Sequence, residues 1–127
     1  MSELAPEKSV IDLFAALDRL DVAAVGELLA DDASMVDEIT KKWMRGKDTV
    51  LASLTPTFAA MQSIRSTLSD LHTYEAVESA TVTCVLDQTY VLDGTSTTIT
   101  SPTTCVLRRV GGTWRMVVMH SVPLADG

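Results

Sequence analysis

Aromatic residues are scarce in this chain, with two each of Phe, Trp and Tyr among 127 residues. An interior of this composition is packed from aliphatic side chains and from six methionines, whose adaptable thioethers suit a pocket as well as plain packing. Basic residues are also in the minority, 10 Lys and Arg against 17 Asp and Glu, for a formal charge of −7 and a pI near 4.6. Such an acidic surface repels phosphate backbones, so neither nucleic acid nor an anionic membrane is an expected partner. No apolar run approaches the ~20 residues of a membrane span. The first residues, Met1-Ser2-Glu3-Leu4-Ala5-Pro6-Glu7, are acidic where a secretory signal would be basic. The expectation is a soluble, cytoplasmic protein. Only two cysteines occur, Cys84 and Cys105, both inside predicted strands, where they read as reduced, buried hydrophobes rather than a disulfide. They cannot form a zinc site without further ligands, and no metal or other cofactor is expected. There is no internal repeat, no linker and no G-x-S-x-G elbow, so nucleophilic hydrolysis has no support.

What is present is one domain's worth of chain, 1–127, split into a helical first half and a strand-rich second half. Val10, Leu13, Phe14 and Leu17 recur at helical spacing after Pro6. Asp21 is a good N-cap for a second helix carrying Val22, Val25, Leu28 and Leu29, closed by Ala30-Asp31-Asp32. A short strand is predicted from Ala33 to Asp37, then a polar turn through Glu38-Ile39-Thr40-Lys41-Lys42. Gly46 permits a bend, and Asp48 caps a third helix running to about Gln62, with Pro56 breaking or kinking it and Thr55 capping the second piece. Four strands follow, 64–74, 78–92, 96–109 and 113–122, with hairpin turns at Asp93-Gly94 and Gly111-Gly112. Helices first and antiparallel strands after give an α+β domain.

Strict alternation places Trp114, Met116, Val118 and His120 on one face of the last strand, and Thr113, Arg115, Val117, Met119 and Ser121 on the other. The same rule groups Ile64, Ser66, Leu68, Asp70, His72 and Tyr74, where Asp70 and His72 read as a surface or dimer-interface pair. A metal site there lacks a further ligand. Trp43 and Met44 precede Arg45-Gly46 and read as core plugs or as a substrate platform. The run Thr95-Ser96-Thr97-Thr98-Ile99-Thr100-Ser101 reads as an exposed strand.

Three segments together resemble the nuclear transport factor 2-like superfamily, in its SnoaL-like and ketosteroid isomerase-like branch. They are Asp21-Val22 through Ala30-Asp31-Asp32-Ala33; Arg45-Gly46-Lys47-Asp48; and Thr104-Cys105-Val106-Leu107-Arg108-Arg109 with Gly112-Thr113-Trp114-Arg115 and His120-Ser121. The resemblance implies a cone-shaped, curved antiparallel sheet wrapped over three N-terminal helices, and a homodimer formed through the open sheet face. It puts Asp37 where ketosteroid isomerases, an established case of carboxylate acid–base chemistry, carry their general base. His120 would join Asp37 at the cone mouth as polariser or proton donor, its protonation tuned by that carboxylate. Leu13, Leu17, Trp43, Cys105, Met116 and Val118 would line an apolar pocket. Leu13 stands at the isomerase's tyrosine position, and Thr104 or Cys105 at its second acid, so steroid isomerisation by that mechanism is not expected. The implied function is an isomerase, cyclase or hydratase acting on an apolar, carbonyl-bearing substrate. The alternative is a non-catalytic dimeric ligand-binding or association module. An epoxide-hydrolase-like role needs two carboxylates bridged by an arginine, and no arginine is placed between two of them.

Overall fold

Pro6, whose missing N–H costs nothing in a first helical turn, opens α1 (Pro6–Asp18) in the computed structural model, which describes residues 5–37 and 41–122. The apolar stripe Val10, Leu13, Phe14 and Leu17 is buried, as its spacing predicts. Asp21 then caps α2 (Val22–Glu27): its Oδ1 accepts the backbone N–H of Ala24 at 3.0 Å. The chain turns directly into β1 (Leu29–Asp37), so Ala30-Asp31-Asp32 belongs to a strand and does not close the helix. Glu38, Ile39 and Thr40, the predicted polar turn, lie outside the described residues, as do Met1 to Leu4. Lys42, expected in that turn, instead begins a short strand, β2 (Lys42–Arg45), paired antiparallel with β1.

Gly46 takes φ +91° and donates its N–H to Ala33 O at 2.7 Å, a bend that a side chain would strain. It occupies the cap position of α3 (Lys47–Ala60), while Asp48 sits one turn in, where its charge complements the helix dipole. Pro56 neither breaks nor ends this helix. The Thr55 hydroxyl donates back to Leu51 O at 2.8 Å, inside the same helix, rather than capping a new segment.

β3 (Met61–Glu75), β4 (Ser79–Leu92), β5 (Thr95–Val110) and β6 (Thr113–Ser121) complete a six-stranded curved sheet in the order β2-β1-β6-β5-β4-β3. All neighbours are antiparallel except β1 and β6, which run parallel. The three helices pack on one face. One end of that face is filled by Val10, Leu13, Val82, Leu107, Trp114 and Met116, all buried. There the Ser9 hydroxyl donates to Trp114 O at 2.9 Å, tying α1 to β6, and the Arg109 guanidinium lies 4.7 Å from the Trp114 ring.

Register shifts interrupt the strand pairings at four places among the described residues: Leu29–Ser34 in β1, Met61–Ser63 and Ser69–His72 in β3, and Val106–Leu107 opposite β6. The last two of these re-aim residues singled out by the sequence. In β6, Val106 pairs with Val118 but Leu107 pairs with Met116, so Val117 is an extra residue. Trp114 and Met116 therefore face the helices before it, and Met119 and Ser121 after it, across from the inward Cys105 and Thr103. In β3, Ser69 pairs with Val85 and His72 with Thr83, again one residue too many, and Asp70 takes φ +53° to make the step. The grouping of Asp70, His72 and Tyr74 with Ile64, Ser66 and Leu68 fails at that point, and Leu71 takes the inward place against the core. Asp70 and His72 form an exposed pair at 3.1 Å.

Cys84 and Cys105 are free and buried. They are diagonal neighbours, since Cys84 pairs with Thr103 and Val82 with Cys105. Burial, with the nearby Cys84, pushes the Cys105 thiol up to about 12, and burial also raises Cys84. Both are protonated, unreactive packing groups near neutral pH.

Candidate functional site

β-Pairing alone assembles one wall of a cavity. Met35 pairs with Met44 on one side and with Met119 on the other, giving a row of three methionines across β2, β1 and β6. Met61, at the junction of α3 and β3, adds a fourth, so four of the chain's six methionines face one space. Phe14 and Leu17 from α1, Leu54 and Phe58 from α3, and Ile64 and Leu86 from the sheet complete an apolar lining. The cavity measures about 130 Å³. A lone water needs roughly 10–15 Å³ on this measure, so the space suits a small organic molecule. Thioethers on unbranched stems let such a wall adapt to its occupant.

Polar groups enter this lining at a few points. Asp37 does so as the last residue of β1, in register with Lys42 of β2. Ser121 is tied to Thr103 by a hydroxyl–hydroxyl bond of 2.9 Å, and Thr103 donates on to Ser101 O at 3.0 Å. Thr57 donates to Ser53 O within its own helix at 3.1 Å. Gln88 and Tyr90, successive inward residues of β4, supply an amide and a phenol. The Gln88 Nε2 donates to Ser66 Oγ at 3.1 Å, and Ser66 donates to Asp18 Oδ1 at 2.8 Å. The second oxygen of Asp18 accepts the Ser66 backbone N–H at 3.0 Å. A carboxylate in the last turn of α1 opposes the helix dipole; these two bonds to β3 offset that cost. The phenol of Tyr90 has no hydrogen-bond partner among the described residues. No cluster of three or more His, Cys, Asp or Glu able to hold a metal occurs among the described residues.

Of the residues expected to line a pocket, Leu17 and Asp37 reach this cavity. Leu13, Cys105 and Met116 are buried in the core instead, 0–2% exposed, and do not border the open space. Val118 and His120 point the other way, because the extra residue Val117 exchanges the faces of everything after it. His120 is exposed on the outer face, where its ring stacks on Trp43 at 5.9 Å with planes 25° apart. Trp43 is 44% exposed and carries Arg45 4.5 Å from its ring. Asp37 and His120 therefore do not converge, and the places expected of Val118 and His120 belong to Met119 and Ser121.

Tyr90 and Gln88 went unread in the sequence although a signal existed. Val82, Cys84, Leu86, Gln88 and Tyr90 alternate without interruption along a strand whose inner face is set by its first three members. Met35, Met44 and Met119 carried no such signal, since their meeting depends on which strands become neighbours.

Known proteins agree with this architecture. The profile of the SnoaL-like domain matches residues 8–125, and the chain belongs to that family. Three solved structures share the fold. A proposed dehydratase of the nuclear transport factor 2-like family from Streptomyces avermitilis is 21% identical, with a TM-score of 0.84 over 94% of both chains. A proposed aromatic ring hydroxylase from Novosphingobium aromaticivorans is 22% identical, with a TM-score of 0.88 over 98% of this chain and 90% of that one. A ketosteroid isomerase-like protein from Erwinia carotovora atroseptica is 18% identical, with a TM-score of 0.79 over 94% of both chains. No curated protein sequence matches the chain significantly. No helix among the described residues is long and apolar enough to cross a membrane.

Proposed function

We propose that this SnoaL-like domain is a small-molecule enzyme of the isomerase, cyclase or hydratase type, with Asp37 as its general acid–base on an apolar, carbonyl-bearing substrate. The observation that carries this reading is the place of Asp37: a carboxylate on the wall of an otherwise largely apolar cavity. There the carboxylate takes a proton from the carbon next to a substrate carbonyl. The C–H electron pair becomes a C=C bond and the carbonyl π pair moves to oxygen as an enolate. Return of the proton from the Asp37 carboxyl to a different atom completes an isomerisation. The relatives described as a dehydratase and as ketosteroid isomerase-like support a reaction of this kind.

The test is deuterium uptake at the carbon next to the carbonyl of 1-tetralone, followed by NMR in D2O. Native protein is expected to exceed the buffer rate, and Asp37→Asn to lower the catalysed rate by roughly 10²–10⁴-fold. His120→Ala, on the outer face, is expected to leave it unchanged. Equal rates for native protein and Asp37→Asn would remove the general-base role.

One observation favours a second reading, a non-catalytic ligand-binding module. Asp37 is the one carboxylate in the described lining, and the histidine expected beside it faces outward. Tight binding of the ketone without exchange would support that reading. In either case the outer face carrying Trp43, Val118 and His120 is proposed as a homodimer surface. A single monomer species in sedimentation at micromolar concentration would exclude it.

A further inference from the structure

We infer that Gln88 and Tyr90 form an oxygen-recognising subsite in this cavity, selecting apolar ring ketones that carry a second oxygen as a hydroxyl group. The inference deepens the proposed function and rests on it for the ketone, but not for the hydroxyl.

The direction of one hydrogen-bond chain carries the first step. The Asp18 carboxylate accepts from both the N–H and the O–H of Ser66, at 3.0 and 2.8 Å. With its single proton committed to Asp18, the Ser66 oxygen serves Gln88 only as an acceptor. The group that Gln88 turns toward Ser66 must therefore be its NH2, at 3.1 Å, and its carbonyl oxygen is the end left over. The orientation of the amide is thus fixed by the chemistry of its neighbours, where an unsupported glutamine could present either end.

The second step is the companion group. Tyr90 lies two residues along the same strand, lines the same cavity, and its hydroxyl has no hydrogen-bond partner among the described residues. A phenol donates one hydrogen bond and also accepts. The pair thus offers an acceptor, Gln88 Oε1, beside a donor, Tyr90 O–H. A ligand hydroxyl is complementary to both, since it donates to the first and accepts from the second. A ligand methyl or ring C–H satisfies neither. Around these two groups the lining is Ile64, Met61, Leu86 and Phe14, which offer only apolar contact. In such surroundings an unpaired polar group costs more than in water, and this makes selection for the hydroxyl steep.

Three elements hold the arrangement: α1 supplies Asp18, β3 supplies Ser66, and β4 supplies Gln88 and Tyr90. Asp18 and Ser66 are positioning residues, acting through Gln88. Gln88 and Tyr90 are the groups that would touch the ligand.

The experiment compares two probes that differ by one oxygen, 6-hydroxy-1-tetralone and 1-tetralone, by titration calorimetry with the full chain. Native protein is expected to bind the hydroxylated ketone about 10-fold or more tightly relative to its parent. Tyr90→Phe, which removes one oxygen and keeps the ring, is expected to bring that ratio close to one. Ser66→Ala, which frees the amide to turn, should lower the ratio by a smaller factor, a change a purely structural serine would not produce. Equal binding of the two ketones by native protein, binding of neither, or an unchanged ratio in Tyr90→Phe would each overturn the subsite. A preserved ratio in Asp37→Asn with deuterium exchange abolished supports both readings. A native protein that keeps the ratio but exchanges no deuterium would leave the subsite standing and remove the catalytic reading.

Discussion

The two ends of β6 obey opposite packing rules although nine residues span both. Before Val117, Trp114 and Met116 are buried in one cluster with Leu13 and Leu107. After it, Met119 and Ser121 border an open cavity. Close packing is needed for a stable fold, and an unfilled volume is needed for a ligand; a single inserted residue lets one strand serve both. The lesson is that a bulge can divide a strand into two segments whose side chains meet different packing demands.

Deleting Val117 removes that division and should have the largest effect on the cavity. Without the extra residue Trp114, Met116, Met119 and Ser121 fall in strict alternation on the inner face, so the fold keeps its inward side chains while β6 loses the local bend and added twist of the bulge beside Met119. Weaker ketone binding with a smaller change in the urea midpoint is the expected outcome. Unchanged ketone binding would show that the bulge does not shape the cavity.

Leu13→Ala, at the packed end, should cost about 2–5 kcal/mol in urea unfolding, because the site is fully buried and has no room to collapse. Met119→Leu, at the open end, keeps its volume against a wall already bordering space, and should cost less than about 1.5 kcal/mol while altering ketone affinity. Equal losses at the two positions would erase the distinction between the ends.

The smallest effect belongs to the outer surface. Arg108 grips Asp32 with two bonds, 2.9 and 3.1 Å, and the guanidinium hydrogen bonds hold the carboxyl below its usual 3.8. A carboxyl lowered in the folded state contributes stability above its unfolded value and loses it as pH falls through the folded value. Asp32→Asn should therefore flatten the loss of thermal stability only below about pH 4, and only slightly, because the pair is exposed.

Long periodic patterns could be read directly. The buried stripe of α1 and the four long strands stand within a few residues of their predicted bounds, because each is set by many side chains acting together. β2 was missed: four residues, two of them basic, give too short a pattern to outweigh a polar turn. The candidate site was harder, and for a definite reason. Facing was inferred from alternation, which one extra residue reverses, and Arg115-Met116-Val117-Val118-Met119 contains nothing that marks Val117 as the extra one. Asp70 in β3 was a fainter cue of the same kind, an Asp being among the few side chains that accept positive φ. Asp37 escaped this problem because it lies beyond the register shift that β1 itself has between Leu29 and Ser34, in regular pairing with β2.

The parallel pairing of β1 with β6 also governs when the cavity comes into being. Residues 29–37 emerge early in synthesis, yet their neighbour in the sheet is residues 113–121. Until those residues appear, one edge of β1 has no partner, and the methionine row lacks Met119. Antiparallel β3, β4 and β5 can zip through their hairpins meanwhile, at the low entropic cost of short loops. Closing the span between β1 and β6 is the slow, long-range step. The ligand site is thus completed last, and during that wait an unpaired strand edge is exposed to other chains, which makes this interval the one in which the protein is most open to aggregation.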